Sequence, residues 1–235
     1  GKKIKTLETF LNTLSPEKVV IISDARDVFV SRDSKTLLST YESMAKNKIL
    51  VSTELACCES SRVAKGPNSF RHLNGTHYDA NMHHSQSTTK PTTNQIATWV
   101  TAFKDFVESA DPDTNLQKWK WTNPNAGLYM GKVKHILELY RYMNIYENHE
   151  DDQSILSEII LQNKNKFVLD IYSNVFSSSF PWDPSSTELY GGCYYEKDSS
   201  SREGNVRNKI FKTNPFFLHF PGKHFSCYDK VIRHA

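Results

Sequence analysis

The stretch from Val19 to Phe29 reads VVIISDARDVF, and the interpretation of the whole chain depends on it. It begins with four β-branched apolar residues and continues to Asp24 and Asp27, which are three positions apart. A continuous apolar run of this length predicts a fully buried central strand of an α/β sheet. Ligands of such sheets bind at the carboxyl ends of the strands, and two carboxylates there favour Mg²⁺ or Mn²⁺. The alternative is an Asx turn that ends the strand and leaves Asp27 in solvent.

Helical and strand patterns alternate along the rest of the chain. Apolar residues recur at helical spacing over 4–14 and 34–47, and the apolar run 49–54 predicts a second buried strand that ends in Glu54. This alternation predicts an α/β domain with a mixed, mostly parallel sheet flanked by helices. Further helices are predicted over 94–109, over 132–146 and after Gln153, and further strands over 167–170, at 175–176 and over 215–220.

Two short segments carry more polar or small residues than ordinary secondary structure needs. The glycines of 123–131, together with Ala126, predict a turn that leads into a short strand whose backbone approaches another group closely. Residues 150–153 read EDDQ before an apolar helix. Acids at a helix start are ordinarily caps that complement the dipole, but three acids and a glutamine exceed that need.

Length and charge limit the classes of protein to which the chain can belong. With 235 residues it is one large domain, or one domain with a big insertion. A net charge of +3 implies no strong field for nucleic acid or a membrane surface. No apolar run approaches the roughly 20 residues that span a bilayer. We therefore expect neither a nucleic-acid partner nor a transmembrane segment.

Cysteine usage and one sequon favour the secretory pathway. Cys57, Cys58, Cys193 and Cys227 allow three pairings if all are oxidised. Asn74 begins an Asn-Gly-Thr glycosylation sequon, in a segment that reads as a surface loop. These features predict a glycoprotein of the ER or Golgi lumen, or a secreted one.

The segment 57–95 interrupts the alternation of helix and strand, because it is rich in Ser, Thr, Asn, His and Gly. A long stretch of this kind inside a compact domain is usually functional or mobile. Its four histidines could form a metal site, but their spacings match no zinc pattern, and a polar loop is the favoured interpretation. They are His72, His77, His83 and His84. The Ser-rich segment 177–204 predicts turns and an exposed hairpin.

Six short motifs follow one another along the chain. They are DARDV at 24–28, STE at 52–54 with Cys57 after it, NAGLYMG at 125–131, DDQ at 151–153, LD at 169–170 with Phe176 after it, and HFPGK at 219–223. In this order they resemble the glycosyltransferase domain of the lysyl hydroxylase (procollagen-lysine dioxygenase) and collagen glycosyltransferase family, which has viral and protist relatives. The resemblance covers most of 1–60 and 120–225.

The resemblance implies a GT-A fold, a nucleotide-binding α/β sandwich in which a divalent cation, usually Mn²⁺, holds a nucleotide sugar. It implies that Asp24, Asp27 and His219 bind the metal, and that Asp151 or Asp152 faces the acceptor or the sugar hydroxyls as the catalytic residue. If the reaction inverts the anomeric centre, one of these two acids is the candidate base. The implied substrate-binding residues are Ser23, Glu54, Asn125, Gly127, Gln153, Gly222 and Lys223.

The chemistry of these side chains agrees with the implied reaction. A diphosphate leaving group gains negative charge as the glycosidic bond breaks, and a Lewis-acidic metal stabilises that charge. Carboxylates with a single imidazole suit Mn²⁺, and Lys223 could reach the same phosphates as a point charge. The expected activity is transfer of a sugar from a nucleotide diphosphate sugar, first of all a UDP-sugar, to a hydroxyl acceptor. That acceptor could be protein-linked, such as hydroxylysine.

The chain departs from the family pattern in three places. It is predicted to be a single GT-A-like domain over 1–235 that lacks the first βα unit, which helps to grip the nucleotide base. Arg26 stands where relatives often carry an aromatic that contacts the base. The segment 57–122 is much longer than its family equivalent, and we expect it to be an insertion that could shape the acceptor side.

Two alternatives from other classes remain. The first is a catalytically inactive GT-A-like module that binds carbohydrate or a partner, which the missing first strand favours and the metal-binding residues oppose. The second is a phosphatase of the haloacid-dehalogenase type, which also places acids after a buried strand. That family needs its two aspartates two positions apart, whereas Asp24 and Asp27 are three apart.

Overall fold

The computed structural model describes residues 2–54, 102–103, 105–109, 123–143, 152–178, 195–198, 206–220 and 227. The helices are α1 (Lys2–Leu11), α2 (Leu37–Ala45), α3 (Val133–Met143) and α4 (Asp152–Gln162), with short 3₁₀ helices at Ser34–Thr36 and Lys164–Lys166. The strands are β1 (Val19–Ser23), β2 (Val28–Val30), β3 (Ile49–Glu54), β4 (Asn123–Lys132), β5 (Phe167–Asp170), β6 (Phe176–Ser178), β7 (Tyr195–Lys197), β8 (Val206–Asn208) and β9 (Phe217–His219). Helical backbone is also present at 102–103 and 105–109.

The main sheet has four strands in the order β1-β4-β3-β5. The long strand β4 runs antiparallel to both of its neighbours, whereas β3 and β5 are parallel. The mixed α/β architecture is therefore as expected, and β1, β3 and β5 all point the same way. The expectation of mostly parallel strand pairing is wrong. Strand β4 lies between β1 and β3, and two of the three strand pairs are therefore antiparallel.

The position of β1 differs from the expectation of a buried central strand. Among the strands that the structure describes, β1 pairs only with β4 and so forms an edge of the main sheet. Ile22 is buried, but Val19, Val20 and Ile21 are only partly buried. The continuous apolar run is explained by packing on both faces, since Val20 contacts one hydrophobic cluster while Val19 and Ile21 contact the other.

Those two clusters pack against the main sheet, one on each face. Helices α1, α3 and α4 cover one face with residues such as Leu11, Ile136 and Ile160. Helix α2 covers the other face through residues such as Tyr41. Strand β4 serves both clusters, because successive side chains of a strand point to opposite faces. Its buried side chains accordingly divide between the clusters, with Tyr129 in the first and Leu128 and Met130 in the second.

Strand β4 also corrects the expectation for 123–131. That segment was expected to turn before a short strand, but it is strand throughout, and its ten residues extend to Lys132. The register explains why no turn is needed. Asn123 and Pro124 pair with the end of β3, beyond a register shift between Val51 and Thr53, while residues 128–132 pair with the whole of β1.

A second, three-stranded sheet has the order β2-β9-β6. Strand β9 runs antiparallel to β2 and parallel to β6, so the carboxyl-terminal part of the chain returns beside the turn that follows β1. Ser177 and Ser178 are fully buried in β6, so the start of the predicted turn-rich segment 177–204 is core rather than surface. Strand β7 pairs antiparallel with β8, but β8 begins after residue 204 and Tyr195 and Val206 are buried, so this pair differs from the exposed hairpin expected within that segment.

Several expectations fall outside the described residues. These are the histidines between 72 and 84, the sequon at Asn74, three of the four cysteines, and nearly all of the insertion 57–122. Cys227 is described, is buried, and takes part in a disulfide bond. None of the described helices is both long enough and apolar enough to cross a membrane.

Candidate metal centre

Asp24, Asp27 and His219 lie together where β1 ends and the second sheet begins. One ligand atom from each side chain lies within 4.8 Å of the other two. Two oxygens that bind one Mg²⁺ or Ca²⁺ ion from opposite sides are about 4 to 5 Å apart. The three donors are therefore close enough to share a single ion, although nearly two hundred residues of sequence separate His219 from the two aspartates.

Backbone hydrogen bonds from three strands hold this cluster in place. The Asp24 N–H donates to the carbonyl of Gly127 in β4, at 2.8 Å. The Phe220 N–H donates to the carbonyl of Asp27, also at 2.8 Å, and Val28 is the register partner of His219. The turn 24–27 is thus fixed at both ends, by the main sheet on one side and by β9 on the other.

His219 has the properties of a metal ligand that is ready to bind. Its side chain is 2% exposed, and burial lowers the pKa of the imidazole to about 4, so the ring is neutral near pH 7. The charge of Lys3 lowers this pKa further, while that of Asp24 opposes the shift. Nε2 is buried without a hydrogen-bond partner among the described residues and lies 3.6 Å from Asp27 Oδ1. A neutral imidazole with an unused, buried nitrogen beside two carboxylates is what a metal site requires.

The other ring nitrogen of His219 faces a pair of buried hydroxyls. Nδ1 lies 3.4 Å from Ser178 Oγ, which is in turn 3.0 Å from Ser52 Oγ. Metal-binding histidines usually donate their second N–H to such an acceptor, which fixes the tautomer and the ring orientation. Ser178 as acceptor would leave the Nε2 lone pair directed at the aspartates. Sequence reasoning missed Ser178, because the segment from residue 177 onward was predicted to form turns, and it gave Ser52 no contact with His219 although Ser52 lies in a predicted strand.

Gly127 leaves the space that the cluster occupies. A Cβ atom at this position would overlap His219 Cε1 and would lie 2.8 Å from Asp24 Oδ2 and 2.9 Å from Asn125 Oδ1. Any side chain would therefore displace two of the three candidate ligands. The close backbone approach predicted for this segment is confirmed, although it occurs in the middle of a strand.

Lys3 is a member of the site that sequence reasoning did not identify. Its ammonium group lies 2.7 Å from Asp24 Oδ1 and 3.4 Å from Asp152 Oδ2, and the three side chains are 40 to 45% exposed. A signal for it did exist. A helix that precedes a strand in an α/β unit usually runs antiparallel to it, and the ten residues of α1 rise about 15 Å, close to the length of β1. The start of α1 therefore returns to the end of β1.

A buried polar network adjoins the cluster on the β4 side. Glu54 is 3% exposed, and its two carboxylate oxygens accept hydrogen bonds from Asn125 Nδ2, at 2.9 Å, and from Gln153 Nε2, at 2.5 Å. Asn125 Oδ1 accepts the Gly127 N–H at 2.8 Å. The network joins β3, β4 and the start of α4, and it links directly to the glycine beneath the metal cluster.

The structure thus brings together most of the residues expected at the site. Asp24, Asp27 and His219 form the candidate metal centre, and Asp152, Gly127 and the Glu54 network surround it. Ser23 is exposed at the end of β1, next to Asp24. Asp27 is only 17% exposed, so the alternative of a solvated Asx turn does not describe it. Asp151, Gly222 and Lys223 lie outside the described residues.

The site has a donor set that fits a divalent cation. It combines two carboxylates with one neutral imidazole, and the buried Nε2 of His219 is available to an ion. In comparisons with known proteins, no family model matches the chain and no curated protein matches it significantly. Asp24, Asp27 and His219 could therefore hold a metal ion on the evidence of their own geometry.

Proposed function

We propose that the chain is a metal-dependent glycosyltransferase with a GT-A-like fold, which moves a sugar from a nucleotide diphosphate sugar to a hydroxyl acceptor. The observation that carries this proposal is the cluster of Asp24, Asp27 and His219 at the carboxyl end of a strand in a mixed α/β domain. Ligands of such domains bind at strand carboxyl ends. The substrate class comes from the family that the six sequence motifs resemble. Three residues of those motifs are the ones that form the cluster.

The proposed metal is Mn²⁺, with Mg²⁺ as the second choice. Carboxylate oxygens suit both ions, while an imidazole ligand shifts the preference towards a transition metal. When bound, the ion would supply Lewis-acid stabilisation of the charge that develops on the diphosphate. The residues of the chain itself hold the ligands in place through the Gly127 carbonyl and the buried serines behind His219.

Other side chains around the cluster suit the binding of a charged donor and a polar acceptor. Lys3 supplies a positive charge that lies beside Asp24 and is 45% exposed. Asp152 is 41% exposed at the start of α4, so among the described acids near the cluster it has the access that a base for the acceptor hydroxyl needs. Asp151 remains the second candidate for that role. The hydrogen-bonded side chains of Glu54, Asn125 and Gln153 form a polar surface beside the cluster.

We propose a UDP-sugar as the first donor to test, and a hydroxyl on protein or glycan, such as hydroxylysine, as the acceptor class. Both rest on the family resemblance. The secretory pathway lumen or the extracellular space is the proposed location, on the sequon at Asn74 together with the disulfide-bonded Cys227.

One observation favours a second candidate, the catalytically inactive module that binds carbohydrate or a partner. The ammonium of Lys3 lies 2.7 Å from Asp24 Oδ1 and so offsets the negative charge of one of the candidate ligands. If that ion pair persisted under all conditions, the cluster would be a structural salt bridge rather than a metal centre. The two candidates differ in a measurable way, because only the enzyme releases nucleotide diphosphate.

The direct experiment measures nucleotide diphosphate release from UDP-, GDP- and ADP-sugars, with and without Mn²⁺. We expect Mn²⁺-dependent release that falls about 100-fold or more in Asp27→Asn, because the substitution removes a charged ligand and keeps the shape of the side chain. Glu17→Gln is the matched control, since it removes an exposed carboxylate that pairs with Lys132 and Lys134. Glu17 lies just before β1 begins, at the end of the strand opposite Asp24. Release that is independent of metal, or equal in the two variants, would overturn the proposal.

A further inference from the structure

The contacts of Lys3 point to a function beyond charge neutralisation. Its Nζ atom lies 2.7 Å from Asp24 Oδ1, and Asp24 is one of the three candidate ligands. A divalent ion that binds Asp24 must share the carboxylate with this ammonium or displace it. The ion and the lysine carry like charges, and at a separation of 4 to 5 Å they repel even in a medium as polar as water.

The second contact of Lys3 provides a place for the displaced ammonium. Asp152 Oδ2 lies 3.4 Å from the same Nζ atom, on the first turn of α4. The lysine can therefore leave Asp24 and keep a carboxylate partner through a small rotation of its own side chain. Because Lys3, Asp24 and Asp152 are all partly exposed, this movement requires no opening of the core.

We propose that Lys3 is a built-in competitor for the metal, which occupies Asp24 when no ion is bound and moves to Asp152 when the ion arrives. This inference rests on the metal centre of the proposed function and adds a control on its occupancy. Before the ion binds, the pairing of Lys3 with Asp24 lowers the affinity of the site for divalent cations. When the ion binds, the positive charge of Lys3 moves towards Asp152. Metal binding is in this way coupled to the charge state around Asp152.

The test is calorimetric titration of Mn²⁺ into the wild-type chain and into Lys3→Met, Lys3→Arg and Lys5→Met. Removal of the competing charge in Lys3→Met should tighten Mn²⁺ binding about tenfold, equivalent to about 1.4 kcal/mol. Lys3→Arg keeps the charge and should bind as the wild type does. Lys5→Met removes an exposed charge from the same helix and should also leave the affinity unchanged. High salt should reduce the difference between Lys3→Met and wild type, since it screens exposed charges.

The possible outcomes separate this inference from the proposed function. Equal or weaker Mn²⁺ binding by Lys3→Met, with binding retained in the wild type, would overturn the competitor role and leave the metal centre intact. Absence of Mn²⁺ binding in every variant would overturn the metal centre and the competitor role together. If Lys3 had a purely structural role, Lys3→Met would have a lower thermal stability and no higher affinity for Mn²⁺. That result also counts against the inference.

Discussion

At the scale of single residues, Gly127 shows how closely the backbone and the candidate ligands fit. The glycine is in β4, its carbonyl accepts the Asp24 N–H, and its N–H donates to Asn125 Oδ1. The space of the missing side chain is filled by His219 and Asp24. The sequence predicted the close approach from the glycine itself, but could not name the neighbours, because they depend on the pairing of strands far apart in the chain.

We expect Gly127→Ala to lose metal affinity by tenfold or more and to destabilise the fold by about 1 to 3 kcal/mol, because the new methyl group must push His219 and Asp24 aside. Gly131→Ala in the same strand is the matched control. Its Cβ would meet the buried side chains of Ile136 and Ile49 at 3.2 and 3.3 Å, so it crowds the core but leaves the candidate metal ligands in place. Urea unfolding and Mn²⁺ titration of both variants check the prediction. Equal loss of metal affinity in the two variants would show that the crowding at Gly127 is not specific to the site.

At the scale of elements, periodicity was a reliable guide where one face of an element packs on the core. The helices predicted over 4–14 and 132–146 and the strands over 49–54 and 167–170 are all present, with ends shifted by up to three residues. The edge position of β1, the ten-residue β4 and the continuation of β6 through the buried Ser177 and Ser178 were not predicted. Each of these depends on which strand lies next to it, and the residues of a single strand carry no record of that.

Asp170 is the last residue of β5, and its side chain holds the segment that leads into β6. Its carboxylate is fully buried and accepts three backbone N–H groups, from Asn174, Val175 and Phe176. Burial raises the pKa of Asp170 from 3.8 to about 6, although those three hydrogen bonds act in the opposite direction. The folded state therefore holds the proton more tightly than the unfolded state does. Its contribution to stability is complete below about pH 4 and is lost as the pH rises through 6.

We expect the stability advantage of the wild type over Asp170→Asn to shrink by about 2 kcal/mol between pH 4 and pH 7. Urea unfolding at several pH values measures it. The comparison cancels the opposite effect of His219, whose lowered pKa costs stability as the pH falls below 6.5. Asp33→Asn should follow the wild-type pH dependence between pH 4 and pH 7, because a hydrogen bond from Lys35 lowers the pKa of this exposed carboxylate and confines its titration to more acidic solution. A difference that grows with pH would mean that the three hydrogen bonds outweigh the burial of Asp170.

At the scale of the whole molecule, the site exists because two sheets meet. Asp24 follows a strand of the main sheet, His219 ends a strand of the second sheet, and Asp27 lies in the turn between them. The sequence named the three residues of the candidate metal centre together, because the order of the motifs carries information about residues that are distant in the chain. Lys3 and Ser178 were missed, and the contact of Ser52 with Ser178 was not foreseen, since these positions follow from packing between elements that are far apart in the sequence.

The central claim is that one ion binds the carboxylates together with His219. Pulsed electron paramagnetic resonance of bound Mn²⁺ tests this most directly, because the modulation of the spin echo reports nitrogen atoms coordinated to the metal. The chain has nine histidines, so the His219→Gln variant identifies the ligand. We predict modulation from a single imidazole nitrogen in the wild type, and its loss in His219→Gln. Bound Mn²⁺ without nitrogen modulation, or modulation that persists in the variant, would contradict the account.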